Sequence, residues 1–173
     1  FEALYSQAKQ DHTFDLLETG KITPAKFRDY VRSILGDQFS DKAIDRAWNA
    51  MLLDLPVERL ELLNRLTSKY RIYLFSNNNA IHLKAFRKII ENDHGDPLLL
   101  ESIFHKTYYS HEIGLRKPHP EAFQFILNEQ GLLPEEVLFL DDSIQHIEGA
   151  ASIGIRTKHV LDLDIMDFCN GLL

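Results

Sequence analysis

The sequence predicts an α/β protein in which a small helical bundle precedes a parallel sheet with right-handed crossovers. Three observations carry that reading. Residues 1 to about 68 show apolar positions at helical spacing only, whereas from Arg71 onward short β-branched or aromatic runs alternate with helical stretches. Two of these runs are continuous and apolar, Ile72-Tyr73-Leu74-Phe75 and Val137-Leu138-Phe139-Leu140, as expected of strands covered on both faces. Both end abruptly in polar residues, and the carboxyl ends of parallel strands are where such sheets carry their sites.

A leading helix is expected around Leu4 to Leu17. Thr23 is placed to cap a second helix with Pro24 at its first position. Phe27, Tyr30, Val31, Ile34 and Leu35 recur at i, i+3, i+4, i+7 and i+8, and Gly36 stops it. A third helix starts after Ser40 and carries Ile44, Ala47, Trp48 and Met51 on one face; a fourth begins at Pro56 with Leu60, Leu63 and Leu66. These stripes read as core packing of a bundle or lid. Ser76-Asn77-Asn78-Asn79 breaks the first strand before a helix from Ala80 to Ile90. Lys106-Thr107-Tyr108-Tyr109 makes a short strand, and the loop from Gly114 to Pro120 leads into a helix with Phe123, Ile126 and Leu127 that ends near Gly131. Asp141-Asp142-Ser143 closes the strand Val137 to Leu140. A helix with Ile147, Ala150 and Ala151 reaches Gly154, and Arg156 to Val160 forms the last strand.

Composition excludes whole classes. With 173 residues, 45% hydrophobic and 26% charged, the chain is globular rather than disordered, and its apolar runs are far shorter than the ~20 residues of a membrane helix. A net charge of −7 argues against a partner bound through a phosphate backbone, so no nucleic-acid and no membrane partner is expected. The single cysteine, Cys169, permits no intrachain disulfide and fits a reducing, cytoplasmic setting. Oligomeric state is not legible, because an apolar helix stripe serves a core or a second subunit equally well.

Three polar clusters fall at strand ends or in the loops between elements: Ser76-Asn77, Lys117 within Arg116-Lys117-Pro118, and Asp141-Asp142. Adjacent carboxylates repel unless a positive group sits between them, and a hard cation such as Mg²⁺ suits one or two carboxylates plus a phosphate. Ser76 offers a hydroxyl, the amides leading into the next helix offer further donors for an anion, and Lys117 offers a compensating charge. Together they describe Mg²⁺-assisted phosphoryl transfer. Each alone has a plainer reading: Asp-Asp as a helix N-cap, Ser-Asn as a turn, Lys before Pro as a solvated loop residue.

The segments Tyr73-Leu74-Phe75-Ser76-Asn77, Gly114-Leu115-Arg116-Lys117-Pro118 with Glu121-Ala122-Phe123, and Leu138-Phe139-Leu140-Asp141-Asp142-Ser143 with Glu148-Gly149-Ala150 resemble the second, third and fourth motifs of the haloacid dehalogenase-like superfamily. The likeness runs from about Thr19 to about Val160 and is similar, more narrowly, to the subfamily I branch that includes an α-glucose-1-phosphate phosphatase. The resemblance implies a Rossmann-like parallel-sheet core over residues 69–173 and a small all-helical cap over 1–68. It implies a Mg²⁺-dependent phosphatase that hydrolyses a small, sugar-phosphate-like metabolite through an aspartyl-phosphate. By the same resemblance, Ser76 and Asn77 bind the transferring phosphoryl group, Lys117 steadies nucleophile and phosphate, and Asp141 and Asp142 hold Mg²⁺ directly or through water.

The superfamily's first motif, a strand ending in Asp-x-Asp that supplies nucleophile and general acid/base, is expected ahead of the cap, and no such segment precedes the helical half. Asp11, Asp15 and Asp29 follow no apolar strand. The expectation is therefore a longer protein, with roughly 25 to 40 further residues ahead of Phe1. His146 stands where relatives often place Asn; it reads as a surface histidine or one behind the metal ligands. His111, Glu112 and His119 flank the Lys117 loop, either touching substrate or solvated. His82, His94 and His105 have no zinc-like spacing. Competing functions are a halide-removing hydrolase, which would not need the carboxylate pair, and a non-catalytic relative that binds a phosphorylated ligand or a protein. A phospho-accepting signalling module is rejected by motif order.

Overall fold

Side chains one turn away set the starts of three helices in the computed structural model, which describes residues 12–160 and 165–173. Thr23 accepts from the Lys26 amide at the start of α2 (Pro24–Leu35), and Ser40 accepts from the Ala43 amide at the start of α3 (Asp41–Trp48). They follow α1 (His12–Glu18), the described part of the expected leading helix, the remainder of which lies outside the described residues. α4 (Val57–Leu66) has Pro56 at its N-cap. The third start belongs to α5 (Ala80–His94), where the Asn79 side chain accepts from Ile81 and His82.

Strand β1 (Tyr73–Ser76) pairs in parallel with β2 (Lys106–Tyr109), Ser76 opposite Tyr109. Between them lie α5 and the short α6 (Leu99–Ile103); α7 (Ser110–Ile113) follows β2 directly. Next come α8 (Pro120–Gln130), β3 (Leu138–Asp141), α9 (Ile144–Ala151) and β4 (Arg156–His159), and β3 pairs in parallel with β4, Asp141 opposite His159. The last described helix is α10 (Ile165–Asn170). The described residues thus form two two-stranded parallel sheets. None of their helices is long and apolar enough to cross a membrane.

The chain divides into two compact units, the first ending at Gly114 and the second beginning at Leu115. That division lies downstream of the change in sequence texture near residue 68, because α5 packs its first turn into the helical core of the first unit. Phe14, Leu17, Phe27, Val31, Ile44, Trp48 and Ile81 form one buried cluster. The Phe14, Phe27 and Trp48 rings lie 5.2–5.5 Å apart, and His82 stacks on Trp48 at 4.6 Å. On the outside of α2 and α3, Arg28 grips Asp45 with two 2.8 Å hydrogen bonds.

Several expectations need correction. Ile34, Leu35 and Met51 are exposed, and Met51 sits in a 3₁₀ turn (Asn49–Met51) rather than in α3. Ala47 is exposed, and in α4 Leu62 rather than Leu63 is buried, so the apolar stripes are narrower than their periodicity implies. α6, α7 and α10 carry too few residues to show a helical period. The strands start one residue later than the apolar runs, so Ser76 and Asp141 are the last residues of their ladders. They are also less covered than a doubly buried strand, with Leu138 39% exposed, since in a two-stranded sheet each strand has a ladder on one side only.

Candidate active site

In the first unit the site begins where β1 ends. The Asn78 amide donates to Ser110 Oγ (2.9 Å), the Asn79 amide to Asn78 Oδ1 (2.7 Å), and the Ile81 and His82 amides to Asn79 Oδ1 (3.1 and 3.0 Å). Asn79 is 1% exposed, so this loop is knitted from within. The expectation that the amides leading into α5 are open to an anion is corrected for these four residues, whose N–H groups already have side-chain acceptors. The Ser76 hydroxyl differs. Its one hydrogen bond within the described residues reaches the Asn77 carbonyl at 3.5 Å, the outer limit for such a contact, which leaves it able to turn to a ligand.

In the second unit Lys117 and Asp141 meet. Lys117 Nζ donates to Asp141 Oδ2 at 2.7 Å, with the two side chains only 9% and 8% exposed, and Nζ lies 5.4 Å from the Phe139 ring centroid. Asp141 Oδ1 accepts from the Ser143 amide and stands 2.9 Å from His146 Nδ1. Burial by itself would raise the Asp141 carboxyl, but the His146 hydrogen bond, the Lys117 ammonium and the Ser143 amide outweigh it and hold the acid well below the usual carboxylate range. The Lys117-Pro118 peptide is cis. A Cβ built on Gly149 would overlap the Pro118 carbonyl, so α9 lies directly against the lysine loop and only glycine fits there.

Asp142 is exposed, and its backbone carbonyl faces His159 Nε2 at 3.0 Å. The Asp141-Asp142 donor set is oxygen only. Among the described residues no group of three or more His, Cys, Asp or Glu could hold a metal ion. A soft or nitrogen-seeking metal is poorly served by such a pair, whereas Mg²⁺, which keeps several waters and takes one or two carboxylates beside phosphate oxygens, fits it.

Lys117 and Asp141 are therefore brought together within the second unit, with Asp142 next in the chain; Ser76 and Asn77 belong to the first unit. His146 lies behind Asp141, in contact with it. Glu112 and His119 are solvated. His82 and His94 face the carbonyls of Trp48 and Leu55, ordinary satisfied histidines. Sequence reasoning passed over Ser110, fully buried against Asn78, because its partner lies 32 residues upstream and no local pattern marks the pair.

Comparison with known proteins shows the family. A sequence model of haloacid dehalogenase-like hydrolases matches residues 6–154. D-ribitol-5-phosphate phosphatase from Bacteroides thetaiotaomicron is 28% identical over 148 residues, 86% of this chain and 71% of that one. A HAD family enzyme from Bacteroides thetaiotaomicron, crystallised as an aspartate-to-alanine mutant with magnesium and inorganic phosphate, superimposes with a TM-score of 0.87 at 37% identity, covering 96% of this chain and 82% of that one. A HAD-like family hydrolase from Porphyromonas gingivalis gives a TM-score of 0.83 at 25% identity, covering 99% and 82%. The chain belongs to the haloacid dehalogenase-like hydrolase family. It is a hydrolase on an α/β, Rossmann-like core.

Proposed function

We propose that the protein is a Mg²⁺-dependent phosphatase acting on a small, sugar-phosphate-like metabolite. The observation that carries this reading is the buried Lys117–Asp141 pair beside the open carboxylate of Asp142. A lysine committed to one side of a carboxylate pair that also suits Mg²⁺ is an arrangement for a dianionic ester, not for the uncharged carbon–halogen bond of a haloacid. The relatives' substrates, D-ribitol 5-phosphate and glyceraldehyde 3-phosphate among them, support a phosphorylated polyol or short sugar, as does the neighbour that binds magnesium with inorganic phosphate.

Asp141 and Asp142 would hold the Mg²⁺. When bound, the ion would neutralise charge on the phosphoryl oxygens and orient them. Lys117 keeps Asp141 ionised and presents an ammonium to the transferring group, and Ser76, with Asn77 beside it, donates its hydroxyl to a phosphoryl oxygen. In the family pattern an aspartate of a strand-borne Asp-x-Asp motif attacks phosphorus, the P–O ester bond breaks, and the leaving alkoxide takes a proton from the second aspartate. Water then attacks the aspartyl-phosphate and releases inorganic phosphate, regenerating the carboxylate. No described residue is assigned the nucleophile's role. Residues 1–68 would serve as a cap that limits water at the site.

The test is a phosphate-release screen over small phosphoesters, with Mg²⁺ and with EDTA. Release that requires Mg²⁺ and favours polyol or sugar phosphates is expected. Halide release from haloacids in EDTA, without phosphate release, would overturn the reading.

A further inference from the structure

We infer that Ser110 is a positioning residue for phosphate binding, holding the loop after β1 in the shape that presents the Ser76 hydroxyl. The inference rests on the phosphatase reading above and extends it to a residue outside the motifs. Ser110 is the first residue of α7 and is 0% exposed. Its Oγ accepts from the Asn78 amide at 2.9 Å and donates to the Asn78 carbonyl at 3.0 Å, so a single hydroxyl satisfies both backbone polar groups of one loop residue.

The register explains how the two meet. Ser76 lies opposite Tyr109 in the β1–β2 ladder, so the residues that follow each strand end leave the sheet side by side. With N–H and C=O both held, Asn78 has little freedom in either flanking peptide. Its own Oδ1 then fixes Asn79, which in turn caps α5. The clamp is braced from behind, since a Cβ on Gly20 would overlap the carbonyl of His111, the residue after Ser110. Ser76 is thus the flexible donor at the head of a rigid loop, and the rigidity is set by Ser110. A donor at the head of a backbone already held in place loses less conformational entropy on binding than one on a mobile loop.

The experiment compares wild type, Ser110→Ala, Ser110→Thr and the core control Ile44→Val for thermal stability, inhibition by inorganic phosphate and phosphoester kcat/KM. Ser110→Ala is expected to weaken inorganic phosphate and lower kcat/KM by about tenfold each. Ser110→Thr recovers most of both, and Ile44→Val loses stability while leaving both unchanged. Should Ser110→Ala fail to fold, amide hydrogen exchange on wild type decides instead: exchange at Asn78 and Asn79 is already slow without phosphate if the loop is held in advance. Fast exchange there that slows only with inorganic phosphate overturns the inference. So does a folded Ser110→Ala with wild-type phosphate affinity and kcat/KM, while the phosphatase reading stands. A wild type that neither binds inorganic phosphate nor hydrolyses phosphoesters overturns both.

Discussion

Lys117 does two jobs that a single substitution separates. It neutralises a buried carboxylate, and it carries the charge proposed to meet phosphate. Lys117→Met keeps an unbranched apolar side chain but removes the ammonium that faces Phe139 and leaves the Asp141 carboxylate with His146 and the Ser143 amide. Chemical denaturation is expected to show a loss of about 3 kcal/mol, and turnover should fall by at least roughly 100-fold. His82 offers a second residue-level prediction. Burial lowers its pKa below the ordinary 6.5, against the opposing hydrogen bond to the Trp48 carbonyl. Below pH 6.5 the unfolded chain therefore binds the proton more readily, and stability declines as pH falls from 6.5 through the lower folded value, with no decline above it. Trp48, the one tryptophan in the sequence, stacks on His82, and a charged imidazole quenches indole. The fluorescence midpoint should lie under 6.5 and disappear in His82→Gln.

At the scale of elements, two contacts hold the site's loops where they are. Asn79 caps α5 through two amides while buried. Asn79→Ala should cost about 1–2 kcal/mol, read from thermal or denaturant unfolding, and Asn79→Asp should recover part of it. Gly149 lets α9 lie against the Pro118 carbonyl. Gly149→Ala should cost about 1–3 kcal/mol and, by pushing the Lys117 loop aside, should also reduce turnover. Gly131, whose added Cβ meets nothing within contact distance, is the comparison: its φ of 62° makes Gly131→Ala mildly destabilising without touching turnover.

For the molecule as a whole, the proposed Asp141-Asp142 site would make Mg²⁺ a ligand of the folded state alone. Saturating Mg²⁺ at about 100 times its Kd should stabilise by roughly 2.7 kcal/mol. EDTA should reverse the gain, and Asp142→Asn should abolish it. A melting temperature indifferent to Mg²⁺ would remove the pair from the metal site.

What the sequence determined by itself is what depends on neighbours within a turn or on strand-ending chemistry. Thr23, Ser40 and Pro24 mark helix starts because a cap's partner is two or three residues away. Ser76, Lys117 and Asp141-Asp142 stand out only as a set, since each alone has a plain structural reading and it is their order and spacing at strand ends and in the Gly- and Pro-rich loop that marks them. Tertiary structure decided the rest. The partnership of Ser110 with Asn78, the seat of His146 behind Asp141 and the stacking of His82 on Trp48 join residues separated by 32, 5 and 34 positions. Strand register and side-chain packing bring the distant pairs together, and a single sequence carries no local signal of either. Even the short His146 link depends on how the turn after β3 aims Asp141. For that reason the residue types on which the proposed chemistry rests were legible before the structure, and the scaffolding around them was not.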